Sequence, residues 1–330
     1  MAHALVVYNP VAGTAADPDL WLGTVVHRLA EKYTTTVFPT TAKMKPSEIF
    51  SAIKDDIDLV VAAGGDGTIR FALSAVASSG LDVPVALLPL GTGNQLARNL
   101  GIYKESIFVD TLHESMNVAM NGRKLKIDLG LMNGEHFCVA AGCGPISDAI
   151  LMPEAQDKAN WKMLAYASSM IQSIALPPVV FKISLPDEVF QVSASGLFVT
   201  NVADLGVGTL SETADVTDGL LDLCILNPKE FGDYIELGFR FGGGFVGGKA
   251  PYYVKKVQAV TVEVMHRRGP LSQFQKIRHR LLSFVQPEVA PVTTSSATIT
   301  AMIDGDEAGT TPMKIKVAPQ AVTVLVPQQN

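Results

Sequence analysis

"LVVAAGGDGTIR", residues 59–70, decides how the rest of the chain is read. An apolar run ends in two glycines, then Asp66, Gly67 and Thr68. A buried strand is giving up its side chains and placing one carboxylate between glycines. Two causes produce that pattern. Something bulky and charged approaches the backbone there, or the strand simply makes a tight turn into a helix.

Outward from this stretch, strands and helices alternate. Strands are expected at 4–10, 35–40, 58–63 and 83–91. Helices are expected at 18–33, 46–54 and 68–78, with another starting at "NQLARNLG" and closed by Gly101. Continuous apolar strands alternating with helices imply a parallel sheet covered on both faces. After about residue 125 the rhythm changes. Strands that alternate apolar and polar residues are expected at 123–131, 135–141, 179–185, 189–201, 220–226, 253–265, 296–303, 313–317 and 321–326. Helical segments near 156–175 and 229–240 interrupt them, and "FGGGFVGGKAP" (241–251) is a glycine-rich loop. The expected fold is α/β plus β, with an N-terminal parallel-sheet nucleotide-binding domain and a mostly antiparallel C-terminal β-sandwich domain, separated by a cleft. The boundaries expected are 1–124 and 125–304, with a tail from about 305 to 330 returning to the first domain.

Composition agrees with two soluble domains. The chain has 330 residues, 48% hydrophobic and 18% charged, with ample apolar content for a core. A net charge of −6 argues against a general nucleic-acid binder. Three cysteines with no CxxC pair read as reduced core thiols, which points to the cytoplasm. The opening "MAHALVVYNP" reads as a first strand, not a signal peptide. The longest uncharged run, Met163 to Phe181, is interrupted by Pro177 and Pro178 and reads as a buried helix, not a membrane span.

Ligands of an α/β sheet sit beyond the carboxyl ends of its strands. Three expected loops there combine glycine with Asn, Asp or Thr: "NPVAG" (9–13), "GGDGT" (64–68) and "PLGTGNQLAR" (89–98). Backbone N–H groups of Gly64, Gly65 and Gly67 and a helix N-terminus suit phosphate oxygens, and Asn9, Thr68, Thr92 and Asn94 can add side-chain hydrogen bonds. Asp66 can hold a Mg2+ that bridges phosphates. Any one such loop is more simply an ordinary turn; three at adjacent strand ends are harder to dismiss. Neither the P-loop nor the standard dinucleotide fingerprint spacing is present.

These loops, with "KIDLG" (126–130), "AAGCGPISDAI" (140–150), "ADVTDGLLDL" (214–223) and "IDGDEAG" (303–309) in the same order, resemble the diacylglycerol kinase catalytic family, which includes sphingosine kinases and bacterial lipid kinases. The resemblance implies an ATP-dependent lipid kinase. ATP would lie in the interdomain cleft on Asn9, Gly64 to Thr68 and Thr92, and a diacylglycerol-like lipid would enter the second domain. A carboxylate of the DGE-like motif would be the general base. Two residues depart from the pattern. Asp306, followed by Glu307, stands where the family has Glu. Gln95 stands where it usually has an Asp of the water-mediated Mg2+ network, which leaves Asp66 and Asp128. Asp215, Asp218 and the Leu220 carbonyl have the spacing of a structural Mg2+ site seen in bacterial members; a capped turn uses the same residues.

Residues 266–280, "HRRGPLSQFQKIRHR", hold Arg267, Arg268, Lys276, Arg278 and Arg280 with no acid. They read as a solvated face or as a patch for transient contact with an anionic membrane surface, at about 1 kcal/mol per basic residue. The expected partners are therefore a lipid and a membrane surface, with the protein peripheral at that membrane; a homodimer is allowed for, and nucleic acid is not expected. Two other functions fit: an NAD kinase-like enzyme, whose family shares "GGDGT", and a catalytically weakened lipid- or nucleotide-binding regulator, motivated by Gln95 and Asp306.

Overall fold

A computed structural model of the chain describes residues 1–10, 18–41, 44–50, 52–53, 56–103, 110–144, 178–205, 209–227, 252–265 and 298–328. The expected helices near 156–175 and 229–240, the 241–251 loop and the basic segment 266–280 lie outside the described residues.

Strands β1 (Ala2–Tyr8), β2 (Tyr33–Pro39), β3 (Leu59–Gly64) and β4 (Val85–Pro89) lie side by side as β2-β1-β3-β4. Every neighbouring pair is parallel. Helices α1 (Pro18–Leu29), α2 (Pro46–Phe50), α3 (Asp66–Ser79), α4 (Gln95–Asn99) and α5 (Thr111–Asn121) fall between and after them. The pleat sends alternate side chains to opposite faces. Leu5 and Val7 of β1 pack with Ile69 and Leu73 of α3, while Ala4 and Val6 share a core with Trp21 of α1 and Met116 of α5. Both faces are covered, which is why β3 and β4 are apolar and buried throughout. Helix α5 is additional to the elements expected. Its signal is Asp110, whose carboxylate accepts N–H bonds from Leu112 and His113 at 3.1 Å each.

The second half supplies β5 (Arg123–Met132), β6 (Glu135–Phe137), β7 (Ala140–Cys143), β8 (Val179–Ser184), β9 (Val189–Ala194), β10 (Gly196–Thr200), β11 (Leu221–Leu226), β12 (Tyr252–Val257), β13 (Ala259–Val264), β14 (Thr300–Ile303), β15 (Asp306–Thr310) and β16 (Met313–Val326). Six of them form an antiparallel sheet in the order β12-β11-β10-β7-β14-β15. Others extend the first sheet past β4 as β16-β13-β8-β9, with β5 on β16 and β6 on β5. Phe181, Ile183, Val262 and Ile315 from the first sheet meet Leu197, Val199, Leu223 and Ile303 from the second, forming the core of a β-sandwich. The chain is thus a parallel α/β layer joined to an antiparallel sandwich.

Two expected strands divide. Residues 189–201 become β9 and β10, and 253–265 become β12 and β13, with each half in a different sheet. The chain changes sheet at Ser195, whose N–H bonds Leu226 O at 2.9 Å, and at Gln258, whose carbonyl accepts from Val317 at 2.9 Å. Two expected strands also merge. Residues 313–317 and 321–326 are the single β16, with an irregularity between Ala318 and Val322 and Gln320 at φ 48°. One end of β16 pairs with β13, and the other lies parallel to β4 with Val324 opposite Val85.

Candidate active site

Register places the ends of β1, β3 and β4 together, with Tyr8 opposite Ala63 and Gly64 opposite Pro89. The loops that begin at Asn9, Gly64 and Leu90 therefore start side by side. Two of them are locked to each other. Leu90 N–H donates to Gly64 O at 3.0 Å. A Cβ on Gly91 would stand 2.5 Å from Gly65 Cα, so these glycines let two backbones cross.

Asp66 opens α3 and completes the lock. Its Oδ2 accepts the Asn94 N–H at 2.8 Å and its Oδ1 accepts the Gln95 N–H at 2.7 Å. Gly93 makes room for it: a Cβ there would lie 2.5 Å from Asp66 Oδ2. Burial raises the Asp66 carboxyl above its usual value, against the Gln95 and Asn94 donors and Arg98, which pull it down. Asn94 is fully buried at φ 52°. Its amide turns back on its own loop, accepting from Gly91 N–H at 3.1 Å and donating to Gly91 O at 2.7 Å. Arg98 Nε ties Gly93 O at 3.0 Å and its guanidinium stacks 4.8 Å from the Tyr103 ring. Thr68 is buried, with its hydroxyl against Gly64.

Asp66, Thr68 and Asn94 thus have their side chains engaged in building the loops. What faces outward is the α3 N-terminus around Gly67, which has open space where its Cβ would be, and exposed Thr92. A 14-residue helix with an uncapped N-terminus presents backbone N–H groups to an anion.

The "IDGD" motif arrives from the second half. Asp304 (φ 47°) and Gly305 (φ 93°) form the two-residue turn between β14 and β15, as Asp-Gly does in hairpins. The Asp304 carboxylate accepts the N–H groups of Cys138, Val139 and Ala140 at 2.8, 2.9 and 3.0 Å. Burial raises this carboxyl too, opposed first by Arg70 and then by those three donors. Arg70, one turn into α3, donates to Ile303 O at 2.9 Å and to Asp306 Oδ2 at 2.7 Å. Asp66 and Asp306 are so tied to positions 66 and 70 of one helix, about 6 Å apart along its axis. Glu307 is exposed and follows Asp306 in β15, where successive side chains take opposite faces. Only Asp306 is seen against α3.

The other candidate carboxylates bond elsewhere in the chain. Asp128 is wholly buried on β5. Its oxygens accept from Gly219 N–H at 2.6 Å and Gln320 N–H at 2.7 Å, pinning the 215–219 turn and the irregular point of β16. Both Asp128 oxygens are thereby engaged with backbone N–H groups. Asp215 accepts from Thr217 N–H at 2.9 Å and from its hydroxyl at 2.7 Å. Asp218 accepts from Leu220 N–H at 2.9 Å and pairs with the Lys256 ammonium. The 215–220 segment thus forms a capped turn, with the Lys256 ammonium against Asp218. Among the described residues no three His, Cys, Asp or Glu side chains gather as a metal site.

Arg70 and Asp304 were not among the residues expected. Nor was Asn201, whose buried amide donates to Asp128 O at 2.9 Å and Cys138 O at 3.1 Å. Asp304 carried a signal in its Asp-Gly turn; Arg70 carried only its spacing of four from Asp66.

Residues 3–132 match the model of the diacylglycerol kinase catalytic domain. A diacylglycerol kinase of Bacillus subtilis is 27% identical over 241 residues, which cover 72% of this chain and 78% of that protein. A Yersinia pestis protein named "Probable lipid kinase YegS-like" is 29% identical over 179 residues, covering 53% of this chain and 58% of its own. Among solved structures, a diacylglycerol kinase from Bacillus anthracis superposes with a TM-score of 0.68 over 98% of this chain and 96% of that one, at 18% identity. At that identity the superposition speaks to the fold.

Proposed function

We propose that this chain, whose residues 3–132 match the diacylglycerol kinase catalytic domain, is a lipid kinase that transfers the γ-phosphoryl group of ATP to a hydroxyl of diacylglycerol or a closely related lipid. The observation that carries this reading is the link through Arg70. It sets the exposed carboxylate of Asp306 one turn along the helix whose N-terminus is free to receive phosphate.

The residues present fit a nucleotide. The open space at Gly67, the α3 N-terminus and Thr92 offer donors to phosphate oxygens, beside the loop that begins at Asn9. Mg2+ supplies charge neutralisation on the transferring phosphate and needs only one or two carboxylates beside phosphates and water. Asp66 would be the carboxylate to hold it, beside its observed task of holding the Asn94 and Gln95 N–H groups. Phosphoryl transfer is mainly positioning, with a proton acceptor near the attacking oxygen. Asp306 Oδ1 would take the proton of the lipid hydroxyl while Oδ2 stays on Arg70. Glu307, on the other face of β15, has no such part.

No helix among the described residues is long and apolar enough to cross a membrane. The reading also includes transient docking on an anionic membrane, with the protein cytoplasmic and peripheral. Its support is the basic sequence around Arg267, Arg268, Lys276, Arg278 and Arg280.

The test is radiolabelled ATP with a panel of diacylglycerol, monoacylglycerol and a sphingoid base in mixed micelles, and NAD in buffer. Label in the organic phase is the expected result. Label on NAD alone overturns the lipid reading in favour of an NAD kinase. Binding of lipid or nucleotide without transfer makes the protein a regulator.

A further inference from the structure

We infer that Arg70 is a positioning residue for phosphoryl transfer, holding Asp306 in register with the phosphate-binding end of α3. This deepens the function proposed above and rests on Asp306 as the proton acceptor.

The hairpin that bears Asp306 needs a support. Among the described residues, strand β15 is the last of its sheet and pairs with β14 alone. The Asp306 side chain is 61% exposed, so packing does not hold its carboxylate. A general base must lie within about 3 Å of the proton it takes, so a hairpin tip that drifts loses catalysis.

Arg70 answers that need. Its side chain is only 12% exposed. One planar fork reaches Ile303 O and Asp306 Oδ2, at 2.9 and 2.7 Å. These two residues face each other across the Asp304–Gly305 turn, so both feet of the hairpin are gripped at once. From the other side, Asp304 anchors the same turn to residues 138–140. The base is therefore fixed relative to α3 and not only to its own sheet. A lysine has one charged nitrogen and cannot reproduce the planar fork. Oδ1 of Asp306, which has no partner among the described residues, is the side offered to substrate. A merely structural tie between α3 and the second half would be partly redundant, because Ser74 Oγ, one turn further on, already bonds His136 Nδ1 at 3.0 Å.

The experiment uses the full chain with ATP, Mg2+ and diacylglycerol in mixed micelles, with single-turnover runs for slow variants. Arg70→Met is expected to lower kcat at least tenfold with the KM for ATP within twofold of wild type. Arg70→Lys is expected to fall between the two. Asp306→Asn should lower kcat by roughly 10²–10⁴. Adding Arg70→Met to Asp306→Asn should change the residual rate by less than twofold, because the group being positioned is gone. Full activity in Asp306→Asn removes the base assignment itself and the inference with it. A deficient Asp306→Asn beside a fully active Arg70→Met, or a second tenfold loss in the double variant, overturns Arg70 alone. A raised KM for ATP at unchanged kcat places Arg70 on the nucleotide instead and also overturns the inference. Should Arg70→Met fail to fold, Arg70→Lys carries the same comparison.

Discussion

The backbones of Gly65 and Gly91 cross so closely that a Cβ on Gly91 would stand 2.5 Å from Gly65 Cα. The glycines of "GGDGT" thus have two separate uses. Gly65 meets a second loop, and Gly67 leaves open space at the helix end. The turn posed by the sequence is present, and the open space proposed for phosphate lies at a neighbouring residue.

Two alanine substitutions separate those uses. Gly91→Ala meets backbone that cannot yield, so both stability and nucleotide binding should fall. Gly67→Ala meets nothing within 4 Å and lies in α3. Its stability should hold or rise by about 0.5–1 kcal/mol from helix propensity, while the KM for ATP rises severalfold if phosphates occupy the space. Thermal melts and ATP kinetics on the two proteins check this.

Asp66→Ala orphans the N–H groups of Asn94 and Gln95, each at a cost of roughly 1–3 kcal/mol if left unpaired. The variant should lose activity and also loosen the 91–95 loop. Hydrogen exchange at the amides of Asn94 and Gln95 should accelerate in it, while exchange in the β1 core stays slow. Unchanged exchange at those two amides would show that the carboxylate is not their anchor.

Burial raises the carboxyls of Asp66, Asp222 and Asp304 above their ordinary value of 3.8. The native chain then holds protons that the unfolded chain releases, so stability increases as pH falls toward that value and is lost as pH rises through the folded-state values. Exposed Asp82, lowered by Thr323 and Lys126, opposes this weakly at the surface. Urea melts at several pH values between 4 and 7 should show a smaller pH slope for Asp304→Asn than for wild type. That variant should also be less stable at neutral pH, because its amide would face the Cys138 N–H.

Lys256 pairs with Asp218 and feels Asp222 and Asp215 nearby. Lys256→Met leaves these carboxylates without their cation. The partly exposed pair is worth about 1 kcal/mol, which lowers Tm by a few degrees. Added Mg2+ should restore the variant's Tm and leave the wild type unmoved; equal response in both would show that Lys256 does not fill a cation's place.

The parallel layer was legible because its evidence is local. Apolar strands such as 59–63 end in glycine, and their helices follow at once. The sandwich was legible as alternation, but not its corners. Ser195 and Gln258 look like any polar residue in an alternating strand, and only the facing sheet shows that the chain crosses there. At the site, the glycine loops and the Asp-Gly turn could be read, because turns write their own chemistry. The partners of the carboxylates could not. Asp66, Asp128 and Asp304 all bind backbone N–H groups, which no side-chain motif records. The partner of Asp306 is Arg70, 236 residues away.

The central claim is that this chain phosphorylates a lipid with Asp306 as the proton acceptor. Its most direct measurement is transfer of radiolabel from γ-labelled ATP to diacylglycerol in mixed micelles, with wild type and Asp306→Asn side by side. The account predicts labelled phosphatidate from the wild type and at least a hundredfold slower labelling from the variant. Equal labelling by both proteins, or label in no lipid at all, would contradict it.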